Sequence, residues 1–457
     1  MLVAASAWVI GVAPLSDNSF FTHLATGRVI LDTGSIPTSD PYTFTAPGEP
    51  WVVQSWLASW LYATVESIAG GAGLRALMGV ATAGLALLGW MLTASCPSVV
   101  PRLALVVVFL SASAPTWSER PLLFGFLGLA LSVLAGEGRL RAPWLLPIGW
   151  IWAQTHGSYP LGLLYLTVVW LMARIDGADS ATAGRALKWL ALGIVAAVIG
   201  PLGLEVLLFP FALLQRQEAL SHVTEWRPPS FDDLAQRVFL LQVLTSVMLI
   251  ARRPSYRFAA VVVVFGGAAL LGRRNLPVAS MVLLPWMAGA TPPVGSLGPD
   301  LIQRRVVGPV VLAAAAMVAV GAVRLTSPSF DLARYPVSEL AAVEQRGTDL
   351  DIQRLGAPDV VGNLRTVLYG PRGDIFADDR FDMFPAAVLD DQITLTEGGP
   401  GVLAVLDRHS IELVIWRRIG GTAPQLIADP GWAVLVTTDD WLLACRRVRG
   451  AAAGGAC

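Results

Sequence analysis

Residues 16–56 read SDNSFFTHLATGRVILDTGSIPTSDPYTFTAPGEPWVVQSW, and the understanding of the whole chain turns on them. They follow one apolar segment and precede a long series of others, yet they carry Asp17, His23, Arg28, Asp32, Asp40 and Glu49. A loop longer than about 12–15 residues that is not composed like a linker is either functional or disordered, and the Trp, Tyr and Phe content here argues for order. We expect this loop to form one wall of an active site at a membrane surface.

Composition sets the class. The chain has 457 residues, 54% hydrophobic and 14% charged, with a mean hydropathy of +0.61. Soluble domains carry about 25% charged residues, so this is the composition of a membrane protein. A net charge of -1 excludes a nucleic-acid binder built on a basic face, since no excess of cations is present to displace counterions from phosphates. Cys96, Cys445 and Cys457 are odd in number and scattered, which predicts neither a disulfide framework nor a metal site. The basic residues are nearly all Arg, with Lys188 the only lysine, a bias typical of GC-rich bacterial genomes.

A helix needs roughly 20 apolar residues to cross a bilayer, fewer where neighbours shield it. That rule places spans near 2–15, 74–95, 103–116, 120–136, 143–155, 159–174, 185–201, 234–251, 256–272, 276–290 and 305–324, about eleven in all. Residues 2–15 are short for a span and fit the apolar core of a signal peptide. With no basic segment before them and no cleavage site before Asp17, a first span with a shortened start is the preferred reading. Arg102, then Arg139 and Arg141, then Arg174, Arg185 and Lys188, then Arg252, Arg253 and Arg257, then Arg304 and Arg305 fall in alternate loops, which the positive-inside rule assigns to the cytoplasm. The Asp17 loop and the C-terminal region are then outside. The Trp-rich segment 51–69 becomes a helix lying at the headgroup level.

The remaining polar groups collect on the outer side: Glu119 and Arg120, His156, the 201–233 loop with Glu205, Arg216, Glu218, His222, Glu225, Arg227, Asp232 and Asp233, and the Arg273–Arg274–Asn275 run. Arginines kept outside against the positive-inside bias call for a partner there, most simply an anion, although nearby carboxylates or lipid headgroups would also serve. After Leu325 the composition changes. Short apolar runs such as Val360–Val361, Gly401–Val405 and Ile411–Trp416 alternate with Gly, Pro and Asp turns, with a helical patch at 336–346. This predicts a small α/β domain over 326–457 outside the membrane, beside a transmembrane domain over 1–325 whose first outer loop spans 16–72. The terminal AAAGGAC reads as a frayed tail.

The blocks DNSFFTHLATGRVILDTGSIPTSDPYTFT (17–45), PWVVQSWLASWLY (50–62), SERPLLFGFL (118–127), WAQTHGSYPLGLL (152–164), EWRPPSF (225–231), RRNLPVASMVLLP (273–285) and DIFADDRFDMF (374–384) span most of the chain. Together they resemble a group of bacterial multi-pass membrane proteins related to the GT-C glycosyltransferases. The resemblance implies an α-helical polytopic fold whose first outer loop carries juxtamembrane helices. It also implies a polyprenyl-phosphate-linked sugar as donor and transfer on the outer face of the membrane. An acidic residue of the first outer loop would act as catalytic base or acceptor-binding group, and Asp17 occupies the matching position.

The chemistry asked of these residues is simple. An acceptor hydroxyl loses its proton as it attacks the anomeric carbon, so a carboxylate within hydrogen-bond reach is required. Asp17 is the first candidate base and Asp40 the second. The departing phosphate needs its charge stabilised more than it needs a proton, which Arg120, Arg273 and Arg274 would do through permanent charge and a planar fork of donors. His23, His156, Glu225 and Asn275 complete the candidate site.

Each candidate has a structural counterpart. Asp17 would cap a surface helix at 19–31, Asp40 in SDPY would form an Asx turn, His23 and His156 would hydrogen-bond at the interface, and Glu225 would pair with Arg227. The acidic ADDRFD run at 377–382 reads as a solvated turn more readily than as a cation site. A divalent cation in the first loop stays open. No Walker loop, dinucleotide fingerprint or zinc helix is present. The acceptor would be a cell-envelope glycan, a lipid or a protein. The competing functions are a transporter or flippase of lipid-linked glycans, and a non-catalytic membrane subunit; the absence of a repeated half and of charges near the bilayer midplane favours the enzyme.

Overall fold

The computed structural model describes residues 1–216, 224–293, 299–346 and 354–447. Glu218, His222 and the terminal AAAGGAC lie outside them. In chain order α1 (Leu2–Gly11), α2 (Asn18–Thr33), α3 (Trp56–Leu92), α4 (Val99–Ser113), α5 (Leu122–Gly136), α6 (Leu145–Thr155), α7 (Pro160–Ile175), α8 (Ala181–Ala196) and α9 (Glu205–Gln215) precede the helices Leu234–Arg252, Tyr256–Leu271, Leu276–Ala290 and Pro299–Arg324.

The chain divides into two compact units. One comprises Met1–Leu15, Gln54–Leu61 and Val65–Ser329; the other comprises Ser16–Val53, Tyr62–Thr64 and Phe330–Cys457. A division at residue 325 would leave the first loop with the apolar helices. Residues 16–53 are instead grouped with the C-terminal region, because their aromatic side chains find their burial there: Phe21 meets Phe330 and Tyr335 at ring separations of 5.9 and 5.5 Å.

The first unit is helical. Five of its helical segments are long and apolar enough to cross a membrane: Trp56–Leu92, Val99–Thr116, Ala181–Ile199, Leu234–Arg252 and Val307–Arg324. Five further apolar helices are shorter: Leu2–Gly11, Leu122–Gly136, Pro160–Ile175, Glu205–Gln215 and Tyr256–Leu271. Each apolar segment of the sequence coincides with a helix, and by length and composition these five carry the membrane assignment among the described residues. Their outward faces present Val107, Val195, Leu241, Leu244 and Val247, as helices bathed in lipid do. Gly70 interrupts α3 with φ 60°, a left-handed conformation that glycine adopts without strain. The break separates the Trp-rich segment from the apolar helix that follows it.

Close packing within this unit depends on small residues and one buried cation. A Cβ on Gly321 would stand 2.1 Å from Trp8 Nε1, so glycine is required for α1 to lie against Pro299–Arg324. Arg75 on α3 is fully buried, yet every bond it makes goes to backbone carbonyls at helix ends: Nε and Nη2 donate to Val12 O (2.9 and 2.6 Å), Nη2 to Arg324 O (2.8 Å) and Nη1 to Ser327 O (2.9 Å). The C-terminal carbonyls of two helices, which lack intrahelical partners, are thus satisfied by a positive charge at the negative end of the helix dipole.

The second unit is built on a four-stranded sheet in the order β1-β2-β4-β3, with β1 (Leu355–Gly356), β2 (Leu413–Arg417), β3 (Trp432–Thr437) and β4 (Trp441–Arg446). β1 and β2 are parallel; β2–β4 and β3–β4 are antiparallel, with a register shift between Val434 and Val436. Of the three apolar runs noted in the sequence only the last is a strand. Val360–Val361 lies in the helix Asp359–Tyr369, and Gly401–Val405 opens the helix Val402–Arg408. The first loop adds to this sheet region: Thr43 forms a parallel bridge with Ile375, and Phe44 N donates to Ile375 O at 3.1 Å.

Candidate functional site

In the second unit, Asp17 is the N-cap of α2: its Oδ1 accepts from Ser19 N at 2.9 Å. One oxygen satisfies an orphan helix donor and fixes the carboxylate's orientation. The polar face of α2 then meets the helix Asp359–Tyr369. Asn18 Nδ2 donates to Asp359 Oδ2 (3.1 Å), Asn363 Nδ2 donates to Asn18 Oδ1 (2.8 Å), and Thr22 Oγ1 donates to Asp379 Oδ1 (2.8 Å). His23 stands on the same helix, partly exposed. Burial first, then the neighbouring Asp379 charge, push the Asp359 carboxyl up to about 6, against the Val360 N–H and Asn18 bonds that favour its anion. Asp359 and Asn363 escape sequence reasoning because nothing local marks them, and Asp379 shows only as part of the acidic 377–382 run; all three matter only once α2 lies against them.

Asp40 has a different environment from the one a solvent-facing base requires. Its side chain is fully buried, and it accepts from Tyr42 N (3.0 Å), Thr43 N (3.1 Å), Thr43 Oγ1 and Arg380 Nη2 (2.6 Å). The Asx turn of SDPY is real, and it aims the carboxylate at a cation 340 residues away in sequence. Arg380 also grips Asp378 through Nε (2.9 Å to each oxygen) and Nη2 (2.6 Å), and it lies over the rings of Tyr42 and Trp51 at 4.7 and 4.3 Å. ADDRFD is therefore no solvated turn, since Asp378 and Arg380 are 1% and 6% exposed. Burial pushes the Asp378 carboxyl up to about 6 against the pull of Arg380; burial also opposes the Arg380 charge, but Asp378 and Asp40 outweigh it and raise the guanidinium.

In the first unit, the loops that carry Arg120, Glu225 and Arg274 converge. Arg120, just before α5, pairs through Nη1 with Glu225 Oε1 at 2.7 Å. The partner of Glu225 is thus Arg120 and not the Arg227 suggested by proximity in sequence. Trp226, the next residue, carries the Arg274 guanidinium 4.0 Å from its ring centre, and Arg273 N donates to Arg227 O at 3.0 Å. The 3-10 turns Thr224–Trp226 and Arg273–Asn275 are thereby held together. Asn275 donates through Nδ2 to Ala268 O at 3.0 Å and opens the helix Leu276–Ala290 as its N-cap residue. Two helix N-termini, those of α5 and Leu276–Ala290, thus start at residues of this cationic cluster, and both favour anions. Among the described residues neither Arg273 nor Arg274 has a carboxylate within ion-pairing distance.

His156 ends α6 with an extended backbone, φ -161°. Its Nδ1 accepts from Ser158 N at 3.1 Å, so the proton of the neutral ring is on Nε2. The ring presents a donor there, not a base. Around it Trp56 Nε1 donates to Gln154 Oε1 (2.7 Å), Gln54 Nε2 to Ala153 O (2.9 Å) and Trp152 Nε1 to Ser158 Oγ (3.0 Å), tying the 54–56 and 152–158 blocks together. Among the described residues no three His, Cys, Asp or Glu side chains are grouped as metal ligands.

No protein-family model matches the chain, and no curated protein matches it in sequence. Its structure is similar to that of the archaeal oligosaccharyltransferase AglB from Archaeoglobus fulgidus, solved with an inhibitory peptide and a dolichol-phosphate, with a TM-score of 0.53 at 10% identity over 91% of this chain and 69% of that one. It also aligns with the arabinofuranosyltransferase AftD from mycobacteria, with a TM-score of 0.49 at 11% identity over 97% of this chain and 41% of that one. The likeness to AglB shows a shared fold.

Proposed function

We propose that the chain is an integral-membrane glycosyltransferase of GT-C type, which transfers a sugar from a polyprenyl-phosphate-linked donor to a cell-envelope glycan, lipid or protein acceptor. The observation that carries this reading is the convergence of Arg120, Arg273 and Arg274 at two helix N-termini on a fold shared with AglB. Such a cluster suits a lipid-linked phosphate, whose charge grows as the sugar departs. Arg273 and Arg274 bind that phosphate, with the Asn275 turn and His156 Nε2–H as further donors. Asp17 is the base, its carboxylate oriented by the N-cap bond from Ser19 N. Asp40 anchors the loop from inside the second unit.

Catalysis takes place on the outer face of the plasma membrane, with the region 326–457 extracytoplasmic and about eleven membrane passages in the region 1–325. The test uses the purified full chain and a panel of labelled polyprenyl phosphate sugars. Wild type transfers sugar, and Asp17→Asn loses transfer by about a hundredfold or more while still binding donor. Donor binding without transfer by either protein would move a transporter ahead of the enzyme.

A further inference from the structure

We infer that Glu225 is an internal stand-in for the donor's phosphate, occupying Arg120 in the ligand-free protein and giving way when that phosphate arrives. The inference rests on the donor reading above and names how the same site is regulated. Arg120 and Glu225 meet through Nη1 and Oε1 at 2.7 Å, with side chains 33% and 47% exposed. A half-exposed, one-point ion pair is weak and exchanges readily with water. A phosphate group offers several acceptor oxygens to a guanidinium fork, and bidentate pairing of that kind outcompetes one carboxylate oxygen.

The surroundings favour exchange over a fixed strut. The Glu225 backbone is held in place because Arg227 O, two residues on, accepts from Arg273 N, and Trp226 supports Arg274. The carboxylate itself is half exposed and can swing into water. Arg274 has Glu225 and Arg120 as its neighbouring charges, one attracting and one repelling it. Without Glu225, Arg120 and Arg274 would repel each other across an empty seat. With it, the seat is held but less cationic than a bound phosphate requires.

The sign of one measurement decides between stand-in and strut. Binding of a polyprenyl phosphate in detergent micelles, and of inorganic pyrophosphate, is measured on the full-length wild type and on Glu225→Gln, Glu225→Ala and Arg120→Gln, with thermal midpoints as the folding control. A stand-in predicts three- to tenfold tighter binding by both Glu225 variants, a steeper salt dependence, and weaker binding by Arg120→Gln. Weaker or unchanged binding by folded Glu225 variants overturns it. If the lipid phosphate binds neither wild type nor variant, but pyrophosphate binds the Glu225 variants more tightly, the stand-in survives and the donor reading falls. If neither anion binds any of these proteins, both fall.

Discussion

Two clusters in this molecule use the same chemistry, arginine beside carboxylate, in opposite ways. Arg380 in the second unit is locked: buried, held by Asp40 and Asp378, and flanked by Tyr42 and Trp51. Arg120 and Arg274 in the first unit are poised: partly exposed, Arg120 paired with Glu225 and Arg274 resting on the Trp226 ring. The locked cluster joins residues 40–51 to residues 378–380 and has no acceptor capacity to offer a substrate. The poised cluster has cationic capacity to spare. Local motifs look equally functional in both places, and burial is what separates anchor from ligand site.

The largest effect that would break this comparison concerns the anchor. Arg380→Leu strands two buried carboxylates, and we expect about 3–5 kcal/mol less stability in urea unfolding of the full chain. A loss below about 1 kcal/mol would place Arg380 in the same class as a surface pair. Next comes the poised side: Arg274→Gln removes charged hydrogen bonds and should weaken polyprenyl phosphate binding about 10–100-fold, leaving the unfolding midpoint near wild type.

Asp359 sharpens the contrast through pH. Its folded pKa of about 6 lies above the roughly 3.9 of an unfolded aspartate, so between those values the folded state holds more protons and stability falls as pH rises. Asp359→Asn should therefore be more stable than wild type at pH 7, by about 1–2 kcal/mol after allowing for partial exposure, and indistinguishable from it at pH 4. A variant less stable than wild type at pH 7 would mean that the Asn18 bond favours the anion more than burial opposes it. The smallest effect is Arg120→Gln, whose half-exposed pair should change stability by no more than about 1 kcal/mol in the same urea experiment.

Much of this was legible in the chain itself. Apolar segment lengths located the helices, since the period and length of apolar residues are local properties. The change of composition after Leu325 marked a region of different character. Asp17 ahead of a helix and SDPY as a turn followed from capping and Asx chemistry, which act over two or three residues. The arginines retained at one set of loops pointed to an anion site, and Arg120 does meet Glu225 while Arg274 rests on the neighbouring Trp226.

What the sequence could not determine is which distant residues complete one another. Asp40 reads the same whether it faces substrate or Arg380, and only the approach of residue 380 removes it from water. ADDRFD reads as a solvated turn until Tyr42 and Trp51 cover it. The first loop, bounded by apolar segments, reads as part of the membrane region, yet its Phe21 and Thr43 are packed and paired with residues 330 to 375. Local patterning fixes secondary structure because its interactions span a few residues. Burial, charge pairing and proton affinity were decided by the tertiary structure, because each depends on what excludes water and which charge arrives from hundreds of residues away.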